Sequence, residues 1–156
     1  DVYLAYDNQL EREVAIKVLP PEFTRDPARF SRFEKEIKAT AKLNHPNLVP
    51  VYEVNSATLE GAKIHYYAMC YLPGGELKDK IEAGLSEQES IDILISLADA
   101  LGYAHKNGII HRDIKPQNII FDGFGKPVIS DLGIAKSTDN LDETRVTSTG
   151  MSLGTP

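Results

Sequence analysis

His111-Arg112-Asp113-Ile114-Lys115-Pro116-Gln117-Asn118 is the stretch that decides how this chain is read. Its companion is Ser130-Asp131-Leu132-Gly133, whose Asp follows Asn118 by 13 positions. Apolar residues flank both: Ile109, Ile110, Ile119, Ile120, Val128 and Ile129. That alternation predicts a short hairpin in which the apolar residues fix the backbone and the polar ends face a ligand. Two carboxylates, an amide and an amine on such loops suit phosphoryl transfer to a hydroxyl. The reaction needs a carboxylate to orient the hydroxyl and accept its proton, and oxygen ligands for metal ions that neutralise the phosphates. Asp113 fits the first role. Asp131 and the side-chain oxygen of Asn118 fit the second, since Mg²⁺ takes one or two carboxylates together with substrate phosphates. Lys115 adds a point charge beside the moving group.

Working outward, Val2-Tyr3-Leu4-Ala5-Tyr6 and Glu13-Val14-Ala15-Ile16-Lys17-Val18 alternate around the polar turn Asp7-Asn8-Gln9. They predict two antiparallel strands with Val14, Ile16 and Val18 on one face, and Ala15 with Lys17 on the other. A Lys beside a small Ala is well placed to reach a ligand under the sheet. Asp26-Pro27 predicts a helix entry, with Asp as cap and Pro at the first position, and Phe30, Phe33, Ile37 and Ala41 carry helical spacing from Ala28 to Leu43. Asn44-His45-Pro46-Asn47-Leu48-Val49 turns the chain into another strand. Val49 to Val54 and Lys63 to Tyr71 then predict strands around a polar turn from Asn55 to Gly61, for a small lobe of five strands and one helix. Pro73-Gly74-Gly75 ends the last strand in a linker. Ser86-Glu87-Gln88-Glu89 is a capping box that opens a long helix, with Ile91, Leu94, Ile95, Ala98, Leu101 and His105 along one face and Asn107-Gly108 at its end. From Ile134 to Pro156 the composition turns to Ser and Thr with few large apolar residues, a segment that buries little.

Taken together, these motifs resemble the protein kinase family. HRDIKPQN is similar to its catalytic loop, Asp131-Leu132-Gly133 to its DFG motif with Leu in place of Phe, and Val14-Ala15-Ile16-Lys17 to its VAIK strand. Lys115, two positions after Asp113, is the form found in serine/threonine kinases. The resemblance implies an α+β, two-lobe fold, truncated here: residues 1–72 as a strand-rich small lobe, 73–77 as the hinge, 78–133 as the start of a helical lobe, and 134–156 as the activation segment. It implies ATP in the cleft with Mg²⁺, or alternatively Mn²⁺, on Asn118 and Asp131. Catalysis would fall to Asp113, Lys115 and Lys17, the last gripping the phosphates. A helical Glu should hold that Lys. Glu34 and Glu36 are both candidates, and Glu36 is favoured by its distance from Asn44-His45-Pro46, while Glu34 has Lys38 four residues on. By the same resemblance Val2, Ala15 and Ile120 would sandwich adenine, Met69 would be the gatekeeper, Cys70 to Leu72 the hinge backbone, and Glu76 would face the ribose. His45 reads as structural. Arg112 would receive a phosphate from the activation segment. There Thr147 and Thr149 are similar to the autophosphorylated threonines of bacterial kinases of eukaryotic type, with a kinase dimer as the implied route, and Thr155 would lie near Asp113 and Lys115.

Composition narrows the partners. A net charge of −6 and a pI near 5.2 leave no broad basic surface for nucleic acid or anionic lipid. The single cysteine, Cys70, makes no intrachain disulfide and fits a reducing, cytoplasmic compartment. No apolar run approaches the roughly 18 residues of a membrane span, so no membrane contact is expected from this segment, though a parent chain could be anchored elsewhere. The family's glycine-rich loop should precede Val2 and its APE motif should follow Pro156. A fragment is therefore expected, inactive by itself, from a parent that phosphorylates Ser and Thr of proteins. Two alternatives stand beside it. A small-molecule phosphotransferase of the aminoglycoside or choline kinase type shares the HxDxxxxN loop, but Lys115-Pro116 and Gly154-Thr155-Pro156 argue against it. A non-catalytic pseudokinase or scaffold is opposed by the intact Lys17, Asp113, Asn118 and Asp131.

Overall fold

The structure is a computed structural model that describes residues 1–21 and 26–131. Strands β1 (Val2–Asp7), β2 (Arg12–Val18), β3 (Val51–Leu59) and β4 (Ala62–Cys70) form an antiparallel sheet of order β1-β2-β4-β3. The β1–β2 connection is held by Asp7, whose Oδ1 accepts from the backbone N–H of Gln9 and Leu10. Between β3 and β4 the turn is only Glu60-Gly61, both at positive φ (50° and 80°), the geometry of a tight hairpin turn whose twist matches its strands. This corrects the polar turn expected from Asn55 to Gly61: Asn55, Ser56 and Thr58 are strand residues paired with Tyr66, His65 and Lys63. Polar side chains on a strand position that faces solvent mimic a turn in the sequence.

The small-lobe sheet also has four strands rather than five. Leu48 makes an isolated parallel bridge with Ile129, and the Val49 N–H donates to the Ile129 carbonyl at 3.0 Å. The residues after the Asn44-His45-Pro46-Asn47 turn thus spend their backbone groups on the second lobe.

Helix α1 (Pro27–Thr40) starts where Asp26 accepts from the Ala28 N–H at 2.8 Å, and it buries Phe33, Ile37 and Thr40. A short helix α2 (Leu77–Ala83), absent from the sequence reading, follows the linker. In that linker a Cβ on Gly74 would stand 2.7 Å from the Phe121 and Asp122 carbonyl oxygens, so only glycine allows the Gly74 N–H to reach Phe121 at 2.8 Å. Helix α3 (Glu87–Lys106) carries the expected capping box: the Glu89 N–H donates to Ser86 Oγ at 3.2 Å and the Ser86 N–H to Glu89 Oε2 at 2.9 Å. Its buried face differs from the one expected. Leu97, Ala100 and Ala104 are buried, whereas Ile91, Leu94 and Ile95 are exposed. Helix α3 is apolar on more than one side, and the small side chains of Ala100 and Ala104 let it lie close on its neighbours.

The predicted hairpin is present as β5 (Ile119–Phe121) and β6 (Pro127–Ile129). It joins two cores. Val128 packs with Ala15, Leu19, Phe33, Ile37, Val49, Tyr67 and Met69, and Ile129 with Leu48, Leu77, Leu97, Ala100, Ala104, Ile119 and Phe121. Alternation along β6 and along Leu48-Val49 sends one residue of each pair into each core. Polar ties reinforce the joint: Asn47 Nδ2 donates to the Pro127 carbonyl at 2.7 Å, the Asn44 N–H to Tyr103 Oη at 3.2 Å, and His45 Nε2 lies 3.2 Å from Asp99. His45 is structural, as expected. Burying a side chain such as Ile37 completely is worth about 1.5–3 kcal/mol.

Candidate active site

His111 organises the loop. It is 1% exposed, and its two ring nitrogens have different duties. Nδ1 accepts from the Asp113 N–H at 3.2 Å, so the proton belongs on Nε2, which donates to the Ser130 carbonyl at 2.8 Å. Burial pushes the His111 pKa below its ordinary value, against the pull of that carbonyl and of Asp113 and Asp131, and the ring is held neutral. Ser130 continues the chain of contacts: its N–H and its hydroxyl both reach the Asn118 carbonyl, at 2.8 and 3.1 Å. One buried histidine thus fixes the loop carrying Asp113 and Asn118 to the strand end carrying Asp131.

Within the loop, Asn118 Nδ2 donates to the Asp113 carbonyl at 2.8 Å and to Asp113 Oδ2 at 3.2 Å. Lys115 Nζ approaches the same Oδ2 at 3.0 Å. The amide is thereby oriented, and Asn118 Oδ1 accepts no hydrogen bond among the described residues. Arg112 and Asp131 adopt positive φ (63° and 54°), unusual for side-chain-bearing residues. Strain of this kind is retained where surrounding contacts over-determine it, and here those contacts converge on the polar cluster.

From the sheet, Lys17 reaches down as expected of its face: Nζ lies 2.6 Å from Asp131 Oδ1. The same oxygen accepts from Tyr67 Oη at 3.0 Å. Burial, then the neighbouring Asp131, raise the Tyr67 pKa well above its ordinary value, so the phenol is a donor. The pairing of Lys17 with Glu36 is not formed in this arrangement. Glu36 Oε1 instead lies 3.6 Å from Arg112 Nη1, while Glu34 makes the foreseen pair with Lys38 at 3.7 Å. Arg112 stands on the loop under α1 and competes for that carboxylate.

Ala15 and Met69 are cross-strand partners and both buried, and Leu72 packs against the same core. Val2, paired in register with Lys17, is exposed, and Ile120 bridges to Glu76 across the linker. Thr147, Thr149 and Thr155 lie outside the described residues, as do Leu132 and Gly133. Sequence reasoning missed Tyr67, and it quoted Ser130 in the second motif without giving it a role. The signal for Tyr67 was available: alternation puts its polar tip on the same sheet face as Met69, opposite Lys17 in register.

The donor set tests well for a hard cation. Asn118 Oδ1 and the Asp131 carboxylate are oxygen donors, and no group of three or more His, Cys, Asp or Glu is gathered as a metal cage among the described residues. A Mg²⁺ here would complete its shell with phosphates and water.

The fold is that of a protein kinase domain. Residues 1–153 match the family model described as protein kinase domain, and the chain belongs to the protein kinase family. It is 38% identical to the serine/threonine-protein kinase PknB of Mycobacterium leprae, and 39% identical to PrkC of Bacillus subtilis and to PknA of Mycobacterium tuberculosis. Each comparison covers 99% of this chain, but only 25%, 23% and 36% of the relative's length. No helix among the described residues is long and apolar enough to cross a membrane.

Proposed function

We propose that the protein to which this chain belongs transfers the γ-phosphate of ATP to serine or threonine hydroxyls of proteins. The observation that carries the reading is the set of hydrogen bonds through His111 and Ser130, which ties Asp113, Asn118 and Asp131 into one cluster. Asp113 orients the acceptor hydroxyl and takes its proton, and Lys115, 3.0 Å away, supplies charge beside the transferred group. Asn118 and Asp131 would hold Mg²⁺, or Mn²⁺, which when bound supplies positive charge against the phosphates. Adenine lies against Ala15, Val2 and Ile120, with Met69 behind it, Leu72 at the linker and Glu76 toward the ribose.

Lys17 grips the phosphates in the reacting arrangement, with Glu36 as its partner. Glu36 is held by Arg112 here, and a phosphate on Thr147 or Thr149 would compete for that guanidinium with two acceptor-rich charges. Release of Glu36 toward Lys17 is the expected consequence. Thr155 completes the acceptor side, a second copy of the kinase supplies the threonine phosphates, and the site works in the cytoplasm.

The reading is tested by γ-phosphate transfer to a protein acceptor in the full-length protein. Lys17→Met and Asp131→Asn should each reduce transfer by at least about 10²-fold. Transfer retained in either variant would remove the role given to that residue.

A further inference from the structure

Tyr67 has packing enough to explain its presence without its hydroxyl. The residue is 3% exposed, its ring meets Phe33 at a centroid distance of 6.3 Å, and it belongs to the core with Ala15, Ile37 and Met69. Yet its hydroxyl crosses to Asp131 Oδ1 at 3.0 Å, the same oxygen that Lys17 takes at 2.6 Å. Register accounts for the coincidence: Lys17 on β2 and Tyr67 on β4 are direct cross-strand partners, so both donors leave the sheet side by side. Asp131 Oδ2 accepts no hydrogen bond among the described residues, and the side chain keeps 28% exposure.

We propose that Tyr67 is a positioning residue for the metal-binding carboxylate. Together with Lys17 it pins Oδ1 and leaves Oδ2 as the oxygen offered to a divalent cation. The inference rests on the reading of Asp131 as a metal ligand given above. A carboxylate rotates broadly about its last torsion, and a fixed donor on one oxygen removes that freedom before the cation arrives. Lys17 alone cannot serve throughout, because the same ammonium is wanted by the phosphates. A phenol set in the core keeps the contact when the lysine turns away.

The test is binding of a fluorescent ADP analogue to the full-length protein, titrated with Mg²⁺, for wild type and Tyr67→Phe. The phenylalanine keeps the ring and removes the donor. The expected result is a rise of about 10-fold in the Mg²⁺ concentration giving half-maximal binding, with Mg²⁺-free nucleotide affinity unchanged. In an Asp131→Asn background the Phe substitution should add nothing. Should Tyr67→Phe fail to fold by circular dichroism, Tyr67→Met, apolar and flexible, takes its place. A Mg²⁺ requirement equal to wild type, or a shift that persists without Asp131, overturns the role of Tyr67 while the function proposed above stands. Wild-type binding with no Mg²⁺ dependence would instead remove the metal assignment and this inference with it.

Discussion

Asp113 Oδ2 collects hydrogen bonds from Lys115 and Asn118, and since Lys115 has no place among the metal ligands, its loss should be felt in the chemical step more than in nucleotide affinity. For Lys115→Met a fall in kcat of about 10²-fold with KM for ATP within a few-fold is expected from steady-state kinetics of the full-length protein. An equal loss in KM would mean that Lys115 binds nucleotide. His111 gives a second prediction at this scale. Its folded-state pKa lies below the unfolded value of 6.5, so the unfolded chain binds more protons as pH falls through that value. Stability contributed by the neutral ring is complete above about pH 6.5 and is lost as pH drops toward the depressed folded value. His65 is shifted the same way by burial and by Lys63, though it is more exposed. Melting midpoints should fall from pH 7.5 to pH 5.5, and the fall should be shallower in His111→Gln. A slope unchanged by that substitution would show that another group carries the pH dependence.

Elements were legible where a local signal names its own partner. The Asp26 cap, the Ser86–Glu89 box and the Ile119-Ile120/Val128-Ile129 hairpin all appear where the residues put them. Signals that depend on what lies opposite were not legible. Helix α3 offers apolar residues on several sides, and the hairpin packed on it, together with Leu48 and Leu77, selects Leu97, Ala100 and Ala104. The Glu36–Arg112 pair likewise joins residues 76 positions apart, which no helical wheel reports. That pair is about one-third exposed on both sides, so Arg112→Gln should change unfolding free energy by no more than about 1 kcal/mol. The linker is less forgiving: Gly74→Ala forces a methyl against two carbonyl oxygens, and a loss of about 1–3 kcal/mol is expected in chemical denaturation. A neutral Gly74→Ala would mean that the linker can move off Phe121.

For the molecule as a whole, the hairpin that carries the site is also what joins the two cores. Ile129, fully buried, accepts from the Val49 N–H and donates to the Asn47 carbonyl. Ile129→Ala should cost about 2–5 kcal/mol in denaturant unfolding. The candidate site was legible as a set of residue types, since HRDIKPQN, Asp131 and Lys17 supply the carboxylates, amide and amines that the proposed chemistry asks for. Its present arrangement was not, because which cation meets which carboxylate depends on the relative placement of sheet, helix and loop. The central claim is that the carboxylate of Asp113 carries phosphoryl transfer beside Asn118 and Asp131. Transfer of labelled γ-phosphate from ATP to a serine- or threonine-bearing protein, by full-length wild type and by Asp113→Asn, tests it most directly. The account predicts Mg²⁺-dependent labelling by wild type that falls by at least about 10²-fold in the variant while nucleotide binding persists; labelling of the same rate in both would contradict it.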